Sequence, residues 1–167
     1  MAGSEATGPA AARADLFQKA TTVLTPTPNS DPITVEKIRA TWVDVGCRVL
    51  EMSAEQHDEL VARSSHLPHI VASALAGYVL DSSHVDDQRA LCASGFKDTT
   101  RVASGSPEMW KDIVIANRIN LSRMLDDLIV EFESIRSALQ KGDEKVVYDF
   151  FQMAKQRRDD LCRSTSK

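Results

Sequence analysis

The fold is decided by residues 53–80, which read SAEQHDELVARSSHLPHIVASALAGYVL. Ser53 with Gln56 three positions later is a capping-box pattern, in which the side chains bond to free backbone N–H groups at a helix start. Apolar residues then recur at helical spacing as far as Tyr78. The pattern predicts one long helix over residues 54–80.

Further helices are predicted after this one. The first is a polar stretch, whereas in the longest the apolar residues keep a heptad rhythm over about three repeats. They are a short helix over residues 82–90, a break at Ser94-Gly95, a helix over residues 107–117, the heptad helix from Leu121 to Leu139 that ends at Lys141-Gly142, and a last helix marked by Val147, Phe150, Ala154 and Leu161. So many apolar stripes in a short segment favour docking between two copies of the chain.

A different pattern precedes Ser53. The run Thr21-Thr22-Val23-Leu24 is rich in β-branched residues and is followed by two prolines, which indicates a strand and a turn. Asp31 and the proline after it predict a helix start, and Gly46 predicts its end. Residues 47–52 then read as a second strand.

These elements form one β-α-β unit, which pairs its strands in parallel. A parallel sheet normally has more than two strands and helices on both faces, so this unit resembles the end of a larger α/β domain. From Ser53 onward no convincing strand appears. A helical stretch over residues 10–19 is also expected before the first strand.

The composition of the 167-residue chain limits its classes of function. Twenty Lys and Arg residues stand against 24 Asp and Glu residues, which leaves a net charge of −4. Because nucleic acids and anionic membranes attract clustered positive charge, neither is expected as the main partner. No apolar run approaches the roughly 20 residues of a spanning helix. Three cysteines without a C-x-x-C pair indicate reduced thiols, and a cytoplasmic location is predicted.

The densest polar cluster surrounds a proline inside the predicted long helix. Pro68 removes a backbone hydrogen bond, so a kink is expected near Ser64 or Ser65. On a helix, His66 and His69 lie about 60° apart and can share one site. Three interpretations stay open: a metal site, which lacks a nearby third ligand; histidines hydrogen-bonded at a helix interface; and a cavity lined by imidazoles at the kink.

A second cluster, Ser94-Gly95-Phe96-Lys97-Asp98-Thr99-Thr100-Arg101, mixes charges and hydroxyls after a glycine. It is either a capped helix start with a surface ion pair or a site for an anion. Arginine presents planar donors that match a carboxylate, and a helix N-terminus offers free N–H groups. In the anion-site interpretation, Asp98 and Thr99 cap the helix and Arg101 faces the ligand. The spacing alone indicates no more than a small anionic ligand.

Motifs spread over nearly the whole chain share one resemblance. They are Met1-Ala2-Gly3-Ser4-Glu5, residues 20–26, His57-Asp58 with Ser65-His66-Leu67-Pro68-His69, Gly95 to Arg101, and Ser104 to Pro107 with Met109-Trp110. In order and spacing they resemble the prephenate and arogenate dehydrogenase family. The first resembles the end of its His-Pro-(Met/Ile)-Ala-Gly-(Ser/Thr)-Glu motif, and the fourth resembles its Gly-Phe-(Arg/Lys)-Asp-x-Thr-Arg motif.

The resemblance implies a fold that is mostly α: a remnant β-α-β end of a Rossmann domain over residues 1–52, followed by an all-helical dimerisation domain over residues 53–167. It implies an oxidoreductase of tyrosine biosynthesis that transfers hydride from prephenate or arogenate to NAD or NADP while the ring carboxylate is lost. It also implies a homodimer.

The resemblance also assigns roles to residues. Arg101 matches the family's carboxylate-binding arginine, and His69 matches a histidine of the substrate pocket. The remaining matches are the neighbouring pocket positions His66 and Ser65, and Gly3, Ser4 and Glu5 at the end of the catalytic-histidine motif.

One departure from the family is large. Its catalytic histidine would precede Met1, and no G-x-G-x-x-G loop occurs in the 167 residues. No catalytic residue is therefore assigned in this chain, and the nucleotide site is expected to be mostly absent from it. Two functions stay open: an N-terminally truncated dehydrogenase that is inactive alone, and a non-catalytic helical module for dimerisation or interaction that derives from the family.

Overall fold

The computed structural model describes residues 8, 12–81 and 83–165, and within them the fold is mostly helical. A small β-α-β unit comes first, and a series of helices follows. In chain order the elements are β1 (Thr21–Leu24), α1 (Pro32–Asp44), β2 (Arg48–Glu51), α2 (Ala54–Val61), a π-helical turn (Ala62–His66), α3 (Leu67–Leu80), α4 (Val85–Leu91), α5 (Ser94–Thr100), a 3-10 turn (Arg101–Ser104), α6 (Pro107–Ala116), α7 (Arg118–Lys141) and α8 (Glu144–Thr165). The predicted fold class is confirmed.

The β-α-β unit forms where the sequence predicts it. β1 and β2 pair in parallel, beginning with Thr21 opposite Arg48. Asp31 caps α1 because its carboxylate accepts hydrogen bonds from two backbone N–H groups of the first turn. Gly46 follows the end of α1 with a φ of 92°, a conformation that glycine adopts without steric cost. The chain can therefore turn sharply and return beside β1.

The segment before β1 is not helical, so the helix predicted over residues 10–19 is wrong where the structure describes it. Backbone N–H groups there bond three residues back, as from Leu16 to Arg13, which is the pattern of turns. Lys19 has a φ of 61° and donates its N–H to the carbonyl of Gly46 at 2.8 Å. This long-range bond replaces the one that a continuing helix would form.

The helix predicted over residues 54–80 forms as three consecutive segments. Ser53 caps α2 by accepting a hydrogen bond from the N–H of Gln56. The helix then widens into the π turn Ala62–His66 and continues as α3. Pro68 lies in the first turn of α3. The interruption is therefore where the proline predicts it, and it takes the form of a π turn.

One predicted break is wrong. α5 begins at Ser94, so Ser94 and Gly95 lie inside its first turn and do not separate two helices. The break lies at Cys92 and Ala93, where the backbone of Ala93 is extended. α5 packs against α3, and such packing outweighs the weak helix propensity of one glycine. α4, α6, α7 and α8 lie where helices are predicted.

The chain divides into two compact units, one up to Leu121 and one from Ser122 onward. In the second unit Gly142, with a φ of 65°, separates α7 from α8 at the predicted helix end. The heptad stripe of α7 is buried only at its start. Leu121 is 2% exposed, whereas Phe132 is 51% and Leu139 is 66% exposed. Phe132 and Leu139 are therefore exposed in the later part of the stripe, whereas Ile135 between them is half-buried.

Candidate functional site

The π turn positions two histidines. The backbone N–H of Leu67 bonds to the carbonyl of Ala62, five residues back, which widens the helix at this point. His66 closes the π turn, and His69 lies in the first turn of α3. Ala62 is 0% exposed, so the widened turn is packed against the rest of the fold.

Trp110 of α6 brings the two histidines together. Its indole stacks on the imidazole of His69, with ring centroids 3.4 Å apart and 24° between the planes. It meets the His66 ring edge-on at 6.2 Å and 75°. Ser106 caps α6 by accepting a hydrogen bond from the N–H of Met109, which places Trp110 in the first turn. We call His66, His69 and Trp110 the Trp110 cluster.

Gly105 leaves room for the indole. A Cβ atom at this position would lie 2.5 Å from Nε1 and 2.7 Å from Cδ1 of Trp110, closer than such atoms approach without something shifting. The φ of Gly105 is −66°, which any residue can adopt. The close approach of Trp110, and not the backbone conformation, therefore requires a glycine here.

Hydrogen bonds hold both imidazole rings. Nδ1 of His69 lies 3.2 Å from the carbonyl oxygen of Ser65, and it must carry the hydrogen because a carbonyl only accepts. Nδ1 of His66 lies 3.3 Å from the amide nitrogen of Asn117, which also donates to the carbonyl of Asp58 at 2.7 Å. Burial lowers the pKa of His66, against an opposing effect of the Asp58 carboxylate. The neutral form of His66 is therefore favoured.

Sequence reasoning missed Asn117 and gave Trp110 no role. Asn117 is 8% exposed and lies at the junction between α6 and α7. One signal is present in the sequence: Ile113, Asn117 and Leu121 are four residues apart, so a polar residue interrupts an apolar helical row. A buried amide in such a row needs hydrogen-bond partners, which here are His66 and a backbone carbonyl.

Arg101 directly follows α5 and begins the 3-10 turn. In the predicted anion site, by contrast, Asp98 and Thr99 cap the N-terminus of a helix. Both residues lie inside α5, and the Thr99 hydroxyl donates to the carbonyl of Gly95 at 2.8 Å. The predicted capping geometry is therefore wrong, because the helix begins before these residues. Arg101 is exposed, and its 3-10 turn packs against α3, which carries one of the two histidines.

The connection from β1 to α1 contains no glycine-rich phosphate loop. There the Asp31 carboxylate accepts hydrogen bonds from the N–H groups of Ile33 and Thr34, as an ordinary helix cap. The cavity at the end of β1, lined by Leu24, Pro26 and Val35 among others, has a volume of about 190 Å³. Ligand pockets commonly measure roughly 300–1,000 Å³. No catalytic step is therefore assigned here to a bound nucleotide.

Metal sites and membrane-spanning helices were also sought among the described residues. Among the described residues, no group of three or more His, Cys, Asp and Glu side chains is placed to bind a metal ion. Over the same residues, no helix has both the length and the apolar character to cross a membrane. The predicted motif residues Gly3, Ser4 and Glu5 lie outside the described residues.

Comparison with known proteins covers almost all of the sequence. Residues 53–156 match the profile of the prephenate dehydrogenase dimerization domain, and residues 1–51 match that of the prephenate dehydrogenase nucleotide-binding domain. The chain is 36% identical over 162 residues to the prephenate dehydrogenase of Bacillus subtilis, covering 96% of this chain and 44% of that protein. It is 35% identical over 162 residues to the cyclohexadienyl dehydrogenase of Zymomonas mobilis, covering 95% and 55%. The chain spans about half the length of these relatives.

Solved structures show the same relationship. The prephenate dehydrogenase from Aquifex aeolicus, in complex with hydroxyphenyl propionate and NAD+, superposes with a TM-score of 0.87 at 29% identity, over 95% of this chain and 56% of that chain. The arogenate dehydrogenase from Synechocystis superposes with a TM-score of 0.83 at 28% identity, over 96% and 59%.

The motifs, the fold and the comparisons agree. The resemblance inferred from the motifs is confirmed by two family profiles that together cover most of the chain. The relatives are named as prephenate, cyclohexadienyl and arogenate dehydrogenases, which are oxidoreductases. The chain belongs to the prephenate dehydrogenase family.

Proposed function

We propose that this chain forms the substrate-binding and dimer-forming part of a prephenate or arogenate dehydrogenase, an enzyme of tyrosine biosynthesis that oxidatively decarboxylates its substrate with NAD or NADP. The Trp110 cluster is the observation that carries this proposal, because two imidazoles adjoin one indole. Such a cluster offers an aromatic face together with polar ring edges. A six-membered ring with a hydroxyl group and carboxylates is complementary to both.

The proposed domain boundary lies between residues 52 and 53. Residues 1–52 form the end of a nucleotide-binding domain, and residues 53–167 form the helical domain for substrate binding and dimerisation. The proposal is supported by β2, which ends just before the α2 cap, and by the change from one matched profile to the other. On the sequence alone, Gly3, Ser4 and Glu5 are proposed as the end of the catalytic-histidine motif.

In this proposal Arg101 binds a substrate carboxylate. Its guanidinium can donate two parallel hydrogen bonds to the two oxygens of such a group. The exposure of Arg101 and the packing of its 3-10 turn on α3 support this role. His66 and His69 bind polar groups of the substrate, and Ser65 supplies the carbonyl that holds His69. The hydroxyphenyl propionate of the Aquifex aeolicus complex combines an aromatic ring with a carboxylate, as this arrangement requires.

A second copy of this chain is the proposed partner. The profile that matches residues 53–156 is that of a dimerization domain. Large apolar side chains are exposed on α7 and α8, and they are Ile119, Ile129, Val130, Phe132, Leu139, Val146, Tyr148, Phe151, Met153 and Leu161. Burying such a surface contributes about 25 cal/mol per Å². Neither a nucleic acid nor a membrane is part of the proposal, and the cytoplasmic location stays a prediction.

Titration with hydroxyphenyl propionate tests the substrate site. The chain has two tryptophans, so Trp110 is the only one left after a Trp42→Phe substitution. Trp42 contacts Phe17 edge-on and lies outside the Trp110 cluster. We expect the fluorescence of the Trp42→Phe chain to change saturably as the ligand is added, because the ligand would contact the indole.

Arg101→Lys in the same background tests the carboxylate role. A charge-assisted hydrogen bond contributes about 1.5–3 kcal/mol, so affinity should fall roughly tenfold to a hundredfold. The matched control is Arg89→Lys, which changes an exposed arginine of α4 near Asp86. Absence of saturable binding, or equal affinities for the two lysine variants, would contradict the proposed site.

A further inference from the structure

Asn117 is the buried amide that connects the end of α6 with the helix carrying His66. Its Nδ2 atom lies 2.7 Å from the carbonyl oxygen of Asp58 and 3.3 Å from Nδ1 of His66. Its Oδ1 atom accepts a hydrogen bond from Nδ2 of Asn120 at 2.9 Å. Both polar atoms of the amide are therefore engaged.

These contacts fix the orientation of the amide. A carbonyl oxygen can only accept a hydrogen bond, so the atom that faces the Asp58 carbonyl must be the amide nitrogen. The reversed amide would place two oxygens 2.7 Å apart, which is repulsive. The atom of Asn117 that faces His66 is therefore a hydrogen-bond donor.

A donor at this position decides which nitrogen of His66 carries the hydrogen. A neutral imidazole has one N–H and one lone pair, and a nitrogen that faces an N–H group must present its lone pair. We propose that Asn117 is a positioning residue that holds His66 in the Nε2–H tautomer, so that His66 donates a hydrogen bond through Nε2. The use of this donor toward substrate rests on the proposed function, whereas the tautomer itself does not.

His69 is held in the opposite tautomer. Its Nδ1 donates to the Ser65 carbonyl, so its Nε2 carries the lone pair when the ring is neutral. The Trp110 cluster therefore combines one imidazole that donates through Nε2 with one that accepts through Nε2. A substrate that carries both a carboxylate and a hydroxyl needs a donor for the first and can use an acceptor for the second. Without Asn117, His66 could adopt either tautomer and this difference would be lost in part of the molecules.

Long-range ¹H–¹⁵N correlation spectra of the whole chain, labelled at histidine with ¹⁵N, test the proposal directly. Protonated and lone-pair imidazole nitrogens resonate in well-separated regions, so each neutral ring reports its tautomer. We expect the lone-pair signal at Nδ1 for His66 and at Nε2 for His69. His66→Gln and His69→Gln assign the signals by their loss. A neutral His66 with its hydrogen on Nδ1 would overturn the proposal.

Asn117→Ala tests whether Asn117 sets the tautomer of His66. It removes the donor, so both nitrogens of His66 should shift toward the averaged positions of a tautomer mixture while those of His69 stay unchanged. The matched control is Asn120→Ala, which removes the partner of Oδ1 but keeps the donor and should preserve the Nε2–H tautomer. Unchanged His66 signals in Asn117→Ala, or equal shifts in both variants, would overturn the proposal.

Two measurements distinguish a change of tautomer from misfolding of a variant. Far-ultraviolet circular dichroism shows whether each variant folds, and the spectrum of the unsubstituted chain decides the tautomer even if Asn117→Ala does not fold. The spectra require no substrate, so a wrong tautomer leaves the proposed function intact. Conversely, absence of hydroxyphenyl propionate binding contradicts the proposed function and leaves the tautomer unaffected.

Discussion

The indole of Trp110 stacks on the imidazole of His69 with ring centroids 3.4 Å apart and 24° between the planes. The same indole approaches the backbone of Gly105 so closely that a Cβ there would lie 2.5 Å from Nε1. The glycine thus leaves free the space that the stacked indole occupies. The geometry of the Trp110 cluster therefore depends on a residue that is not part of it.

Gly105→Ala should displace Trp110 and weaken its stacking on His69. Alanine adopts the φ of −66° without strain, so the effect arises from the collision of the side chains alone. We expect altered near-ultraviolet circular dichroism and fluorescence in the Trp42→Phe background. Overpacking of this kind typically lowers the free energy of unfolding by about 1–3 kcal/mol, which urea denaturation measures.

Gly95→Ala is the control for this substitution. A Cβ at Gly95 meets nothing within 4 Å, and the residue lies in α5, where alanine favours the helix. The variant should leave the Trp110 signals unchanged and stabilise the chain by up to about 1 kcal/mol. Identical Trp110 spectra for Gly105→Ala and Gly95→Ala would show that the close approach at Gly105 is unimportant.

His66 should make the stability of the chain depend on pH. Burial lowers the pKa of His66 in the folded chain, whereas the unfolded value is about 6.5. As the pH falls, the unfolded state therefore binds the proton first, and the contribution of the neutral ring, present above about pH 6.5, is lost below it. Urea denaturation over a pH series measures this loss. His66→Gln should reduce the slope below pH 6.5, and an unchanged slope would contradict the effect of burial.

Local patterns predicted the elements whose signals lie within one helical turn. The cap at Ser53, the helix start at Asp31 and the helix stop at Gly142 each depend on neighbouring residues, and each is confirmed. The segment before β1 is different, because Lys19 bonds to Gly46, which is distant in sequence. No local pattern encodes that contact, so the helix predicted there is wrong.

In the candidate site, too, local sequence predicted some features, and others depend on contacts between distant residues. Helical geometry predicted that His66 and His69 could share a site, because both lie on one continuous helix. Trp110 joins them only through the packing of α6 against that helix, which no spacing reveals. The partners of Asn117 are likewise distant in sequence. For Arg101, the residue could be named as a candidate, but its position after α5 depended on where packing allows that helix to begin.

Leu139→Asp should abolish dimerisation and leave the chain folded. Leu139 is 66% exposed on this chain but belongs to the apolar stripe of α7. If the stripe packs on a second copy, the variant buries a carboxylate there, which costs about 2 kcal/mol or more. Sedimentation velocity should show a dimer for the unsubstituted chain and a monomer for Leu139→Asp, with equal helicity. Ser134→Asp, at an exposed polar position of the same helix, should stay dimeric. A helical but monomeric unsubstituted chain would refute self-association.

The 167-residue chain by itself should not turn over prephenate or arogenate. It contains no G-x-G-x-x-G loop, which in a Rossmann domain holds the pyrophosphate of the dinucleotide. Loss of groups that act as a unit costs several orders of magnitude in rate.

NADH formation by a chimera, in which the N-terminal part of the Bacillus subtilis relative precedes this chain, tests whether the helical part retains its substrate site. We expect turnover by the chimera and a kcat/KM lowered roughly tenfold or more by Arg101→Lys, but not by Arg89→Lys, because only the first removes two matched donors to a carboxylate. Turnover by the chain alone would contradict the first expectation. A folded chimera that binds NAD+ but is inactive would favour the helical interaction module over the dehydrogenase.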